Sequence, residues 1–329
     1  MTSFETVYVA DVGGTNARFA LAQQKDDKLF NISNSMTYSC EKFQRFEDVF
    51  SQYSKDLTEK NIPLPNKACI AIAAIIQGDS VAMTSLPWAF SINKVKQQCQ
   101  LSELYVINDF VGQAMAVPYL PTQDIRPIKT GTPIEDCPIV VLGPGTGLGS
   151  ALIVPFQSDS TTKWIPVAAQ GGHVNFTPIN DTEHALCQYF LDKKGYVSFE
   201  TFVCGSGISH IYEGLHVISN TPYSALAPAE IAQQALDQSN PIAQTTLEYF
   251  FSFLGRFAGN AALLCGATGG VYLAGGILPK LKTALDDSKF IDQFMFKGVS
   301  SGFVEEIPVY LIEHKEPALI GCAAYIANQ

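Results

Sequence analysis

Paired cysteines, basic runs and long unbroken apolar stretches are what this 329-residue sequence lacks, and each lack closes off a class of protein. Its eight cysteines (Cys40, Cys69, Cys99, Cys137, Cys187, Cys204, Cys265 and Cys322) stand far apart, and no two form a C-x-x-C. Zinc ribbons and fingers need close-set ligand pairs, and secreted disulfide scaffolds need dense regular spacing, so reduced structural thiols in a cytosolic protein are expected. Charge is scarce: 16% of residues carry it, against roughly 25% in an average globular protein. The 21 Lys and Arg are outnumbered by 31 Asp and Glu, leaving a net charge of −10. No excess of cations is available to neutralise nucleic-acid phosphates or to dock on anionic lipid, so neither nucleic acid nor membrane is expected as a partner. The N-terminal MTSFETVYVAD has no basic n-region and no long apolar h-region, unlike a signal peptide. The most apolar stretch, Phe253 to Leu278, is interrupted by Arg256, Asn260 and seven glycines. It reads as a buried helix followed by a strand rather than as a membrane span. A Gly-Lys dipeptide is absent, which removes any Walker A loop. H-R-D, D-F-G and H-E-x-x-H are absent too, and with them the support for protein-kinase and zinc-hydrolase chemistry.

What is present is an alternation of strands and helices around an apolar content of 47%. At roughly 150 residues per domain, the length suggests two domains with cores large enough to need no staples. Thr6 to Ala10 is a β-rich run ending at Asp11; Gly13-Gly14 and a second run, Ala17 to Ala22, give strand, glycine turn, strand. A turn at Lys25 to Lys28 leads to a third strand near Ile32 to Tyr38. Phe43, Phe46, Val49, Phe50, Tyr53 and Leu57 recur at three- and four-residue steps and predict an amphipathic helix. Ala68 to Ile76 is a continuous apolar run, as expected of a parallel strand buried on both faces. Leu104 to Ile107 is another, ending at Asn108-Asp109, with a helix expected from about Phe110 to Ala116. Pro118 to Pro138 contains five prolines and reads as a connector. The opening pattern then recurs a domain's length later: strand Ile139 to Leu142, glycine loop GPGTGLG (Gly143 to Gly149), strand Ser150 to Val154. Helical patterns follow at Thr182 to Lys193, Pro228 to Asp237 and Ile242 to Cys265. Strands at Gly270 to Ala274 and Val309 to Ile312 precede a last helix, Pro317 to Ala327. The architecture is α/β, in two related halves.

Two glycine loops and one strand-end aspartate carry the chemistry. Glycines let backbone N–H groups approach an anion with no Cβ in the way, and Thr15 and Thr146 can each offer a hydroxyl to a phosphate oxygen. Asp11, ending the first strand, carries the charge needed to hold Mg²⁺, directly or through water. Two such loops, one per half, would grip a nucleoside triphosphate; taken singly, each is equally a tight hairpin turn. GPGTGLG is followed by a β-like run to Pro155, where a dinucleotide-binding loop would open a helix. Taken singly, Asn108-Asp109 is also a helix cap, His173 a structural imidazole, Glu200 a solvated carboxylate, and Trp88 and Phe90 core.

In order along the chain stand DVGGTNAR (Asp11 to Arg18), VAMTSLPWAFS (Val81 to Ser91), INDF (Ile107 to Phe110), GPGTGLG, GGHVNF (Gly171 to Phe176), Glu200 followed by CGSG, and LAGGI (Leu273 to Ile277). Together they resemble the bacterial glucokinase family of the actin/hexokinase/Hsp70 ATPase superfamily, over essentially the whole chain. The resemblance implies two RNase H-like (actin-like ATPase) α/β domains around a ligand cleft. The small one would comprise residues 1–118 plus 314–329 and the large one 119–313, with the C-terminal helix packed back on the first. It implies a cytoplasmic homodimer that uses ATP as co-substrate and Mg²⁺ to phosphorylate glucose at its 6-hydroxyl, giving glucose 6-phosphate and ADP. By the same resemblance Asp109 is the catalytic base and a sugar ligand, Asn108 its sugar-binding neighbour, and Gln170, His173 and Glu200 further sugar ligands. Asp11, Gly13, Gly14, Thr15 and Asn16 would form the first phosphate loop, with Asp11 the Mg²⁺ ligand. Gly145, Thr146 and Gly147 would form the second, and Gly275 and Gly276 the adenosine-side turn. Two positions depart from the family pattern: Gln170 stands where Glu usually precedes GGH, and Asn175 where the family has Asp. The His-plus-Cys zinc motif of the related repressor/kinase group is missing, so no structural zinc is expected. The rival readings are a kinase for another hexose or hexosamine, a sugar-sensing regulator without catalysis, and a mechanical ATPase.

Overall fold

The computed structural model describes residues 5–26, 29–83, 85–158 and 161–329. Thr84 of the second motif, Asp27 and Lys28 of the expected turn, and the first four residues lie outside the described residues. The chain forms two compact units: Met1–Ile125 with Ile153–Ala168 and His314–Gln329, and Arg126–Leu152 with Ala169–Glu313.

In unit 1, β1 (Val7–Val12) pairs antiparallel with β2 (Asn16–Asp26), which pairs with β3 (Leu29–Ser39). Helix α1 (Phe46–Glu59) buries Phe46, Val49, Phe50, Tyr53 and Leu57 of the three- and four-step pattern, whereas Phe43, the pattern's first residue, precedes the helix at the end of a 3-10 turn. The rings of Phe50 and Tyr53 meet Tyr8 and Phe19 of the sheet at centroid distances of 5.1–6.0 Å, a spacing that favours edge and offset contacts. On its other side β1 pairs parallel with β4 (Lys67–Ile72). The apolar run expected as one strand breaks at Ala73, whose N–H donates to Val12 O at 3.0 Å. The chain then leaves to form a separate antiparallel sheet, β5 (Ala74–Gln77), β6 (Ser80–Met83) and β7 (Ala89–Ser91). Trp88 and Phe90 are core: Trp88 Nε1 donates to Phe43 O, and Phe90 stacks on Phe46 at 4.7 Å. After α2 (Ile92–Gln98), β8 (Glu103–Asn108) pairs parallel with β4 and hands over to α3 (Asp109–Ala116). The sheet order is β3-β2-β1-β4-β8, so the C-terminal ends of β1, β4 and β8 share one edge.

The second sheet has the order β12-β11-β10-β13-β14-β9. Its strands are β9 (Ile125–Lys129), inside the proline-rich connector, β10 (Ile139–Pro144), β11 (Leu148–Ser158) and β12 (Thr161–Ala169). Next come α4 (Asp181–Lys194), α5 (Phe199–Phe202), α6 (Gly205–Ile218), α7 (Pro228–Leu236) and α8 (Pro241–Cys265). Strand β13 (Gly270–Leu273) pairs parallel with β10. Three short helices, α9 (Lys282–Asp286), α10 (Phe290–Met295) and α11 (Ser301–Glu305), precede β14 (Val309–Ile312), which pairs parallel with β13. Helix α8 is buried for most of its length, and Arg256 on it makes a two-pronged ion pair with Glu183 of α4, both bonds 2.8 Å. No helix among the described residues is long and apolar enough to cross a membrane.

The last helix, α12 (Pro317–Ala327), packs in unit 1 along α3 and across β1 and β4, with Cys322 Sγ donating to Ala10 O at 3.5 Å. Its end is tied to the β12 limb, Trp164 N–H donating to Asn328 Oδ1 at 3.0 Å and Lys163 Nζ to Asn328 O at 3.3 Å. Those bonds go with the placement of residues 153–168 in unit 1, where the sequence reading has them in the second domain.

Candidate active site

The expected site residues fall into two groups, one on each unit. In unit 1, Asp11 is the last residue but one of β1, and the Gly13 N–H donates to Asn16 O at 3.0 Å to close a tight turn. The Thr15 carbonyl accepts the Cys40 N–H at 2.8 Å, which fixes the far side of the turn. Asp11, Gly13, Gly14, Thr15, Asn16 and Arg18 line a concavity of about 260 Å³. Asn108 caps α3, its Oδ1 accepting the Phe110 N–H at 3.0 Å, and Asp109 is the first residue of that helix. A carboxylate there sits against the positive end of the helix dipole. Strand register puts Asn108 level with Ile72 and Val12, two strands from β1, or about 10 Å at ~4.8 Å per strand.

The two acids influence one another. Burial pushes the Asp109 carboxyl up, opposed by the N–H groups of Phe110 and Asp109 and by the Asn108 side chain. Burial also pushes Asp11 up, and the charge of Asp109 adds to it, taking Asp11 to about 6 despite the opposing guanidinium of Arg18. A buried carboxylate with so little cationic compensation is a place for a cation. Among the described residues no three His, Cys, Asp or Glu side chains cluster as a metal cage. Mg²⁺ takes one or two carboxylates and completes its shell with water and phosphate oxygens, and Asp11 is the carboxylate this concavity offers. The sequence reading gave no role to Arg18. Its Nε lies 3.1 Å from Glu316 Oε1 and donates to Thr37 Oγ1 at 3.4 Å.

In unit 2 the two remaining glycine turns lie at the C-terminal ends of the adjacent parallel strands β10 and β13. Gly145 N–H donates to Gly147 O at 2.7 Å, and Gly205 N–H, at the start of α6, donates to Gly145 O at 2.9 Å. The first turn of α6 is thus tethered to the loop, with Gly205 N–H given to Gly145 O and Gly207 N–H to Cys204 Sγ. Gly275 has φ +89°, and a Cβ there would stand 2.5 Å from Pro144 O. Only glycine serves both demands. Gly145, Thr146, Gly147, Gly275 and Gly276 are therefore brought together, with Thr146 and Gly276 exposed.

Glu200, on α5, accepts the Leu148 N–H on Oε2 at 2.7 Å, and its Oε1 lies 3.8 Å from His173 Nδ1. A Cβ on Gly147 would come within 2.5 Å of Glu200 Oε2, so the glycine makes room for the carboxylate. His173 ends a short 3-10 turn, Gly171–His173, held by Gly171 N–H donating to Ser150 Oγ at 3.1 Å. The Tyr196 hydroxyl braces this turn, 2.5 Å from His173 O and 2.6 Å from Asn175 Oδ1. Gln170 precedes the turn, exposed, and its side chain makes no hydrogen bond among the described residues. His173, Glu200 and the second loop form one constellation of polar groups suited to hydroxyls.

The glucokinase family model matches residues 8–329. The glucokinase of Saccharophagus degradans is 38% identical over 318 residues, 97% of each chain. The crystal structure of a glucokinase from an Antarctic psychrotroph superposes with a TM-score of 0.89 at 34% identity, covering 99% of this chain and 100% of that one. A ROK family glucokinase from Streptomyces griseus, in complex with glucose and AMPPNP, shares the fold at TM-score 0.60 and 16% identity, over 98% of both chains.

Proposed function

The chain belongs to the glucokinase family, is a hexose kinase and has the actin-like ATPase fold, and from that premise we propose how its residues divide the transfer of the ATP γ-phosphoryl group to the 6-hydroxyl of glucose. Asp109 is the base: it accepts the proton of the 6-hydroxyl as that oxygen attacks phosphorus. The observation that carries this assignment is the pairing of Asp109 with Asp11 at one sheet edge, each carboxyl raised by burial and the second also by the first. A carboxyl held above its usual range is better matched to proton transfer near neutral pH. Asn108, with its Oδ1 committed to the α3 cap, offers its amide hydrogens to the sugar.

Asp11, with the turn from Gly13 to Asn16, holds the phosphates on unit 1; Gly145, Thr146 and Gly147 do so on unit 2, and Gly275-Gly276 accommodate the adenosine. Asp11 is the residue that would hold Mg²⁺, which supplies charge neutralisation of the phosphate oxygens. Phosphoryl transfer passes through a loose transition state, so positioning and charge balance are most of what a protein must provide. His173 and Glu200 bind sugar hydroxyls, with Glu200 held by the Leu148 amide. We place the enzyme in the cytoplasm as a homodimer.

Gln170 favours a second reading of specificity. A carboxylate at that position accepts two hydroxyls with charge assistance, whereas an amide offers one acceptor and two donors. A higher KM for glucose, or a shifted order among hexoses, follows with the chemistry intact. ADP release with ATP, Mg²⁺ and a panel of hexoses, against a no-sugar control, tests the function. Glucose-dependent ADP with glucose 6-phosphate as product is expected; no release above the control with any hexose overturns the reading.

A further inference from the structure

Unit 1 carries a second concavity, of about 280 Å³, on which none of the phosphate or sugar assignments draws. Its walls mix an aromatic pair with a carboxylate. Phe30 and Tyr119 meet edge to face at 5.2 Å, Ile320 of α12 supplies aliphatic surface, and Glu316, Ser35 and His314 are the polar lining. His314 Nδ1 accepts the Glu316 N–H at 3.0 Å, and its Nε2 lies 4.0 Å from Asp124 Oδ2. Glu316 Oε1 is engaged by Arg18 at 3.1 Å and Ser35 at 3.5 Å, while Oε2 has no hydrogen-bond partner among the described residues. One free carboxylate oxygen beside two aromatic rings is the chemistry that holds an organic cation, by ion pairing and cation–π attraction together. The volume, at the low end for ligand sites, limits the ligand to a small one.

Arg18 also lines the phosphate concavity, so the Arg18–Glu316 ion pair is a wall common to both. We propose that this second pocket is an effector site for a small organic ammonium or guanidinium with an apolar body, coupled to the phosphate site through Arg18. A bound cation competes with Arg18 for Glu316. Arg18 is then freer to turn to the phosphates, a change that favours the nucleotide. The coupling half of the proposal rests on the phosphate-site reading above; the binding half does not.

The test uses the full chain and phenethylammonium as the probe. Calorimetry is expected to give saturable binding of phenethylammonium, at least tenfold tighter than that of the neutral 2-phenylethanol. Glu316→Gln is expected to abolish the preference for the cation, and Phe30→Leu, which keeps apolar bulk but removes a ring, to weaken binding several-fold. In the kinase assay, saturating phenethylammonium should lower KM for ATP about two- to fivefold, the scale of one partly exposed charge pair, with kcat little changed. Absence of saturable binding, equal affinity for the alcohol, or binding that survives Glu316→Gln overturns the site. Binding with the expected charge preference but no shift in KM overturns the coupling. A chain that binds the amine yet shows no sugar-dependent ADP release overturns the functional reading instead.

Discussion

Replacing Asp11 by Asn should make the ligand-free protein more stable at pH 8 while crippling its activity. Asp11 titrates near 6 in the folded chain rather than at 3.8, because burial and the charge of Asp109 disfavour its ionised form. A raised acid pKa means that the folded state holds a proton the unfolded chain has lost. The stability this gives is fully present below about pH 3.8 and is lost as pH rises through about 6. A shift of about two pH units corresponds to about 3 kcal/mol at 1.36 kcal/mol per unit. Asn has the shape of Asp without the charge, so Asp11→Asn should recover up to about 3 kcal/mol above pH 6 and little near pH 4. Both tryptophans of the chain, Trp88 and Trp164, lie in unit 1 with Asp11. Intrinsic fluorescence therefore follows the unfolding of the unit in question. Urea titrations of both proteins at pH 4.5 and pH 8 should show a midpoint gain for the variant that is much larger at pH 8. Equal midpoints at pH 8, or a variant less stable there, would refute the claim that Asp11 is a buried and poorly compensated charge.

Three further outcomes are expected. Gln170→Glu should raise kcat/KM for glucose several-fold, about the gain from one charge-assisted hydrogen bond in place of a neutral one; unchanged steady-state constants and an unchanged hexose order would mark the position as neutral. Gly147→Ala should raise KM for glucose about tenfold or more, because the new Cβ displaces Glu200 Oε2 from Leu148; saturation kinetics on glucose measure it. Arg256→Met should cost about 3–5 kcal/mol in urea unfolding of unit 2, the usual loss when a buried ion pair keeps one member, here Glu183.

The elements legible in the sequence are those whose burial is periodic or continuous. The α1 pattern names the residues the helix buries, and Pro317 to Ala327 spans α12 to the residue, since Pro at the first position marks its start. Helix α6 was not legible, because Gly205, Gly207 and Gly214 interrupt its apolar face. Strand β12 went unread because its outward residues are apolar and exposed, Ile165 at 50% and Val167 at 45%, which erases the alternation. Ala68 to Ile76 reads as one strand because composition carries no trace of the bond from Ala73 to Val12 that ends the ladder. Around the candidate site, the turns contiguous in sequence are legible as local structure: Gly13 to Asn16, Gly145 to Gly147, the Asn108 cap of α3, and the turn at Gly275-Gly276. What joins distant positions is not. Nothing local links Arg18 to Glu316, Gly147 to Glu200, or Gly171 to Ser150; each pair meets only because the sheets fold as they do.

Asp109→Ala removes the carboxylate that takes the proton from the sugar hydroxyl. Single-turnover and steady-state assays with ATP, Mg²⁺ and glucose should show kcat lowered by about 10²–10⁴-fold, the range for losing a general base, while calorimetry shows nucleotide binding largely retained. A variant that keeps more than about half of the wild-type kcat would contradict the account.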